Sequence, residues 1–240
     1  MEKLTTGARR LGIHLTPRQI AQFERYYLEL TAWNRRVNLT AIVERGEVET
    51  RHLLDSLTVA LALPRRQGVR AIDVGAGAGF PGLPLKLAFP DITLTLLEAT
   101  GKKAAFLANL VSVLGVADVV VVAQRAEDAA HDPLHREAYD VAVARALAAM
   151  PVLAELTLPF CRVGGIVVAQ KKGDIDDEIE AATFAIDSLG GSVRECIPVH
   201  IPEVAEDRRS LVVVEKVRPT PPQYPRRAGM PQKRPLAHRR

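Results

Sequence analysis

Cysteine is nearly missing from this chain: its 240 residues hold two, Cys161 and Cys196, too few for a disulfide framework or a metal cluster. Both stand in apolar stretches, so core packing is expected of each, and a reducing, cytoplasmic setting of the whole. No apolar run reaches the length of a membrane span, and the opening MEKLTTGARRLG lacks the hydrophobic region of a secretory signal. Neither a membrane nor a metal is therefore expected as a partner. Internal repeats are also lacking. Negative charge is absent from the end of the chain, where no Asp or Glu follows Glu215 but eight Lys and Arg do. The remainder carries 24 basic against 28 acidic residues, a net of −4. A mildly acidic body with a strongly basic tail suits a polyanionic partner or a solvated extension.

What is present is an ordinary globular composition, 48% hydrophobic and 25% charged, enough for a sizeable core. Thr16-Pro17 is a helix start, a hydroxyl cap followed by proline at the first helical position. Ile20, Phe23, Tyr27, Leu30 and Val37 then recur near the helical period, and a second helical pattern runs from about Glu47 to Leu63. WNRRVNLTAI between them is polar and turn-like, and Pro64 to Arg70 is a basic linker. The reading is a helical cap over residues 1–64, a core over 65–217 and a basic, proline-rich tail over 218–240.

Within the core the texture alternates between strand and helix. Strands are predicted at 69–74, 92–98, 119–123, 140–146, 165–170, 193–201 and 210–217. Helices are predicted after Pro81, over 102–115 with a glycine stop, after the fourth strand, and from an Asp174 cap to Gly190. Unbroken Val/Ile/Leu runs indicate strands covered on both faces, hence an α/β fold with a doubly wound, mainly parallel sheet. The last two strands lack a full helix between them and should form an antiparallel hairpin at one edge. The tail, with its six prolines, is expected to be extended.

The sharpest local signal is AIDVGAGAGFPG, residues 71–82, in which Gly75, Gly77, Gly79 and Gly82 follow directly on the first strand. In an open α/β sheet the ligand lies beyond the carboxyl ends of the strands, and glycines there let the backbone approach it. A dinucleotide would ask for G-x-G-x-x-G, whereas the spacing here is G-x-G-x-G. Asp73, two residues ahead of the first glycine, is an unwelcome neighbour for a pyrophosphate and suits a cationic ligand such as S-adenosyl-L-methionine. Glu98, at the end of the second strand and 23 residues after Gly75, is placed to accept ribose hydroxyls. Gln124 to Asp128 close the third strand, where a backbone amide and an acid would read the edge of an adenine. Arg145 ends the fourth, in a segment too apolar for a decorative charge; its plainer role is an ion pair with one of these acids.

These residues resemble one family. NLTAI (38–42), RHLLDSL (51–57), DVGAGAGFPGLPL (73–85), LLEATGKKAAFL (96–107), Arg125–Glu127, VARA (143–146), KKG (171–173) and YPRRAGMPQKRPL (224–236) are similar to the bacterial 16S rRNA guanine-N7 methyltransferase G family, also called glucose-inhibited division protein B. The resemblance runs nearly end to end; Glu98 stands where relatives often carry Asp. It implies a seven-stranded, Rossmann-like class I methyltransferase sheet and methylation of guanine N7 at position 527, in the 530 loop of 16S rRNA. The donor positions it carries over are Gly75, Phe80, Glu98, Ala99, Thr100, Ala126, Glu127 and Arg145; Asp73, Gly77 and Gly79 join them on the physical argument. Arg145, Arg125 and Lys172 are the expected positioning and electrostatic residues. Asn38, His52, Asp55, Ser56, Lys102, Arg226 and Arg227 are the expected RNA side. The partner would be 16S rRNA or the 30S subunit, met by a monomer.

The chemistry agrees with what is missing. Guanine N7 has a free lone pair, so no proton need leave and no covalent intermediate forms. A pyrimidine-C5 enzyme needs a cysteine nucleophile, and neither cysteine stands at a predicted strand end. An adenine-N6 enzyme usually shows an Asn/Asp-Pro-Pro-aromatic motif after the fourth strand, where this chain reads RALAAMP. Two other readings stay open: an NAD-type oxidoreductase, disfavoured by the glycine spacing, and a non-enzymatic ribosome-binding protein. On charge alone, trimming 218–240 should weaken RNA binding without touching the donor.

Overall fold

Seven valine- and leucine-rich segments pair into one sheet in a computed structural model that describes residues 1–64, 66–202 and 208–237. The strands are β1 (Arg70–Val74), β2 (Thr93–Leu97), β3 (Val119–Val122), β4 (Tyr139–Arg145), β5 (Cys161–Lys172), β6 (Gly191–Val199) and β7 (Arg209–Lys216), in the spatial order β3-β2-β1-β4-β5-β7-β6. β1 to β5 run parallel, while β7 lies antiparallel between β5 and β6. The doubly wound sheet and its antiparallel hairpin match the sequence pattern, and all seven expected strands are present.

Ten α-helices, four of them single turns, surround the sheet among the described residues: α1 (Glu2–Arg10), α2 (Pro17–Asn34), α3 (Arg45–Glu47), α4 (Asp55–Leu57), α5 (Gly82–Ala88), α6 (Gly101–Leu114), α7 (Ala126–Ala129), α8 (Met150–Thr157), α9 (Asp176–Ser188) and α10 (Met230–Lys233). Alternate residues of the central strands enter two cores. Leu94, Leu96, Val141 and Val143 join Phe23, Tyr26, Leu30 and Phe106 on one face. Ile72, Val74, Ala142 and Ala144 meet Leu153, Leu158 and Ile186 on the other. Since Leu4 and Phe23 sit in the same cluster as the strand residues, α1 and α2 complete the sheet's first face.

Several local expectations need correction. The amphipathic stripe of α2 buries Tyr26 rather than Tyr27, and Val37 lies beyond its end. The second helical pattern is compound: α3 passes into a π-helix, Val48–Leu54, then α4, then a 3-10 turn, Thr58–Leu61. The N-cap of α9 is Ile175, although the Asp174 carboxylate still accepts from the amide of Asp176. Cys161 is buried but Cys196 is exposed, because it sits on the outermost strand, β6.

The tail is neither wholly extended nor solvated. It includes the short α10, and its carbonyls are gripped from the body. The Arg136 guanidinium donates to the carbonyls of Thr220, Pro221 and Tyr224 at 2.8–3.2 Å, and His131 Nε2 donates to that of Pro225 at 2.8 Å. Satisfied backbone acceptors and buried Pro231 and Leu236 account for a proline-rich segment holding to the surface. Arg65 of the linker, and Arg239 and Arg240 of the tail, lie outside the described residues.

Candidate active site

The carboxyl ends of β1, β2, β3 and β4 open onto two adjoining cavities that share Gly75, Lys103 and Ala146. One, of about 370 Å³, is lined by Glu98, Glu127, Leu97, Val152 and Leu156, with Arg125 at its edge. The other, of about 330 Å³, is lined by Arg51, His52, Phe80, Lys103, Arg145 and Lys172. Apolar groups dominate the first, the acidic chamber by its two carboxylates, where Glu98 and Glu127 balance Lys103 and Arg125; bases dominate the second, the basic chamber. Both volumes suit small-molecule groups.

Of the glycine run, Gly75 stands in the wall of both and Gly77 in that of the basic one. Gly75, Gly77 and Gly79 have φ of +73°, +58° and +94°, a region other residues adopt only with strain. Glu98 fixes the loop, its Oε2 accepting from the amide of Gly77 at 2.9 Å and its Oε1 from that of Thr100 at 2.7 Å. Asp73, expected to face a ligand, lines neither cavity. It is fully buried under the loop, its Oδ2 accepting from the amide of Gly82 at 2.7 Å and its Oδ1 without a partner. Burial raises its pKa to about 7, against the lowering pull of the Gly82 amide and Arg145. It braces the loop from below.

On the basic side Arg145 is held tightly. Its Nη1 donates to Asp55 Oδ2 at 3.0 Å and to the carbonyls of Arg51 and His52 at 3.3 and 3.5 Å, with the guanidinium 4.8 Å from the centre of the Phe80 ring. Asp55 is a buried bridge, because its Oδ1 accepts from Arg209 Nη1 at 2.6 Å. Asp55 is thus engaged by two arginines while still lining the basic cavity. Gln170 supports the bridge, donating to the Asp55 carbonyl at 2.6 Å.

His52 stacks on Phe80 with centroids 4.8 Å apart, and Phe80 in turn stacks on Tyr26 at 5.3 Å. Its Nδ1 lies 3.2 Å from the Arg51 carbonyl, which only accepts, so Nδ1 carries the hydrogen and Nε2 accepts from Thr40 Oγ1 at 2.7 Å. Burial, and then the Arg145 charge, lower its pKa to about 3. The ring is neutral.

Of the expected donor residues, Gly75, Glu98, Ala99, Ala126 and Glu127 line the acidic chamber. Gly75, Gly77, Phe80 and Arg145 line the basic one, while Asp73, Gly79 and Thr100 line neither. Of the expected RNA residues His52 and Asp55 reach the basic chamber, as does Lys172, whereas Asn38, Ser56, Lys102, Arg226 and Arg227 do not. Ser56 is buried and donates to the His52 carbonyl at 2.6 Å. Lys102 is exposed and Lys103, a further ~100° around α6, enters both chambers instead. Asn38 is exposed, and the loop beside it is organised by Asn34, whose Oδ1 accepts from the amides of Leu39 and Thr40. Arg226 is engaged by buried Glu155, its Nε and Nη2 reaching the two carboxylate oxygens at 2.9 and 2.6 Å. Arg227 is exposed.

Sequence reasoning missed Lys103, Ala146, Gln170 and Arg209. Ala146 carried no signal, yet its φ is +52° where the chambers meet. It missed the tail as well: Gly229, Pro231 and Gln232 line the acidic chamber, and the Gly229 amide donates to Glu127 Oε1 at 2.8 Å. The tail, expected to serve the RNA side alone, is thus also part of this cavity's wall.

A family model described as rRNA small subunit methyltransferase G matches residues 19–212. The Ribosomal RNA small subunit methyltransferase G of Roseiflexus castenholzii is 52% identical over 236 residues, covering 98% of this chain and 100% of that protein. Its namesake from Dehalococcoides mccartyi (strain CBDB1) is 51% identical over 236 residues, with the same coverage of 98% and 100%. Among solved structures, MtNAS in complex with MTA and tNA superposes with a TM-score of 0.56 at 17% identity, over 81% of this chain and 71% of that one. TYW2 of M. jannaschii in complex with AdoMet gives 0.53 at 14% identity, over 72% and 78%. These two likenesses show the fold.

Proposed function

The chain belongs to the rRNA small subunit methyltransferase G family, and from that membership we propose that it transfers a methyl group from S-adenosylmethionine to N7 of the guanine at position 527, in the 530 loop of 16S rRNA. The reaction is a direct in-line displacement without a covalent intermediate, and the substrate places the enzyme in the cytoplasm. The observation that carries this reading is the pair of unlike chambers meeting at Gly75 and Ala146.

The residues present fit such a donor. In the acidic chamber Glu98 is placed for ribose hydroxyls, Leu97, Val152 and Leu156 for an adenine face, and Ala126 with Glu127 for its edge. Bound there, the donor supplies an electrophilic methyl on a sulfonium. The basic chamber takes the guanine. The neutral His52, backed by Phe80, offers a flat face for an unstacked base. Arg145 is immobilised at three acceptors and positions the guanine, while Arg125, at the edge of the acidic chamber, positions the donor. Lys103 and Lys172 meet the RNA's negative charge, joined by Asn38, Lys102 and Arg227 on the exposed surface.

No general base is required. The N7 lone pair forms the new N–C bond as the S–C bond breaks, so one positive charge moves from sulfur to base. Asp55 offsets the standing charges of Arg145 and Arg209 beside it. A cysteine relay has no support: Cys161 begins β5, at the end remote from the site, with its thiol pushed up to about 12 by burial. The deciding experiment incubates labelled donor with unmethylated 30S subunits and with naked 16S rRNA, then maps the modified nucleotide. Label on guanine N7 at position 527 is expected; label elsewhere, or none on either substrate, would sink the proposal.

A further inference from the structure

The acidic chamber is closed by residues from the far end of the chain. Val152 and Leu156 of α8 line it, and Glu155 on the same helix points into the body, wholly buried, to hold Arg226. The carboxylate takes the Arg226 backbone amide at 2.8 Å as well as its side chain, so both the position and the direction of the tail are fixed at that residue. Three residues on, Glu127, itself in the chamber wall, takes the amide of Gly229. At and beyond the second anchor, Gly229, Pro231 and Gln232 form the outer wall. A basic arm reserved for phosphates would have no need of a planar, two-point grip on a buried acid.

We propose that the C-terminal segment is a donor-binding wall and that the Glu155–Arg226 pair is a positioning element for it, so that donor affinity depends on the docked tail. This rests on the reading of the acidic chamber as the donor site. When the donor fills the chamber it contacts the sheet rim on one side and residues 229–232 on the other. Occupancy therefore holds the tail down, and a docked tail holds the donor.

Amide hydrogen exchange on the full chain, with and without S-adenosylhomocysteine, tests this. Slowed exchange at the Gly229 amide and through α10, together with Gly75–Gly79 and Glu98–Thr100, is the expected result. Protection at the two rim loops with none at residues 229–237 would overturn the wall but leave the donor site standing. No protection at the rim loops would overturn both. Calorimetric titration adds a second arm with Arg226→Lys, which keeps the charge and loses the planar grip, and with a chain ending at Gly229, which keeps both anchors. Each should weaken S-adenosylhomocysteine roughly tenfold or more. Unchanged affinity in a variant that melts lower would mean the pair is structural only and would refute the positioning role.

Discussion

Gly77 and Gly79 share a loop and a positive φ, yet alanine at each should do different harm. At Gly79, φ +94°, a left-handed alanine costs about 1–2 kcal/mol. Its Cβ would also stand 2.5 Å from Tyr26 Oη and 3.3 Å from Leu107 Cδ2. Tyr26 is fully buried and donates to the Ala78 carbonyl at 2.6 Å, so it cannot yield without stranding that carbonyl. A broken buried hydrogen bond adds about 1–3 kcal/mol, giving roughly 2–5 kcal/mol for Gly79→Ala. At Gly77 the nearest atom to a new Cβ is the Gly75 carbonyl oxygen at 3.8 Å, so only the backbone cost of about 1–2 kcal/mol applies. Its methyl would project at the edge of the basic chamber. Urea unfolding without ligand should therefore separate the variants at unchanged slope, and rRNA titration should rank them in reverse, Gly77→Ala binding worse. Tyr26→Phe combined with Gly79→Ala should recover about 1 kcal/mol relative to the sum of the single changes. Equal midpoints for the two alanine variants, or full additivity in the cycle, would show that the Tyr26 contact does not set the cost.

Three further outcomes are expected. His52, with its pKa near 3, stays uncharged across the working range, so methyl transfer should show no His52 inflection between about pH 5 and pH 9; an inflection that vanishes in His52→Asn would contradict this. Asp73, raised from the ordinary 3.8 to about 7, holds its proton more tightly folded than unfolded, so its contribution to stability falls as pH rises through that window and levels off above it. Urea midpoints of wild type against Asp73→Asn at the two ends of the window check the sign, which is wrong if the wild type gains on the variant. Lys103→Gln should lower the slope of log affinity for rRNA against log salt by about 0.7–0.9, measured by filter binding; an unchanged slope would remove Lys103 from the RNA contacts.

The sheet was legible because its signal is local: runs such as GIVVAQ and DVAVARA can be strands only in a doubly covered sheet, and the missing helix before β7 announced the antiparallel edge. Glu98 and Glu127 were legible as strand-end acids by the same logic. Charge type alone misled at Asp73 and Arg226 and did not reveal the pairing of Asp55. Asp55 and Arg226 are taken up by groups distant in sequence, Arg209 and Glu155, and Asp73 by the amide of nearby Gly82. Pairings across 154 or 71 positions leave no periodicity to read. Lys102 was chosen over Lys103 because adjacent residues differ by a helical step whose phase depends on where α6 begins.

The π-helix that carries His52 stakes function on residue count more than on residue type. Each of its hydrogen-bonded rings holds one residue more than an α-turn. Loss of a single residue between Val48 and Leu54 would let the segment rewind as ordinary helix, with the leucines beyond it still on the core. The two peptide oxygens that cradle Arg145 would then change place. A deletion of that kind would be quieter in a melting curve than in an rRNA methylation assay.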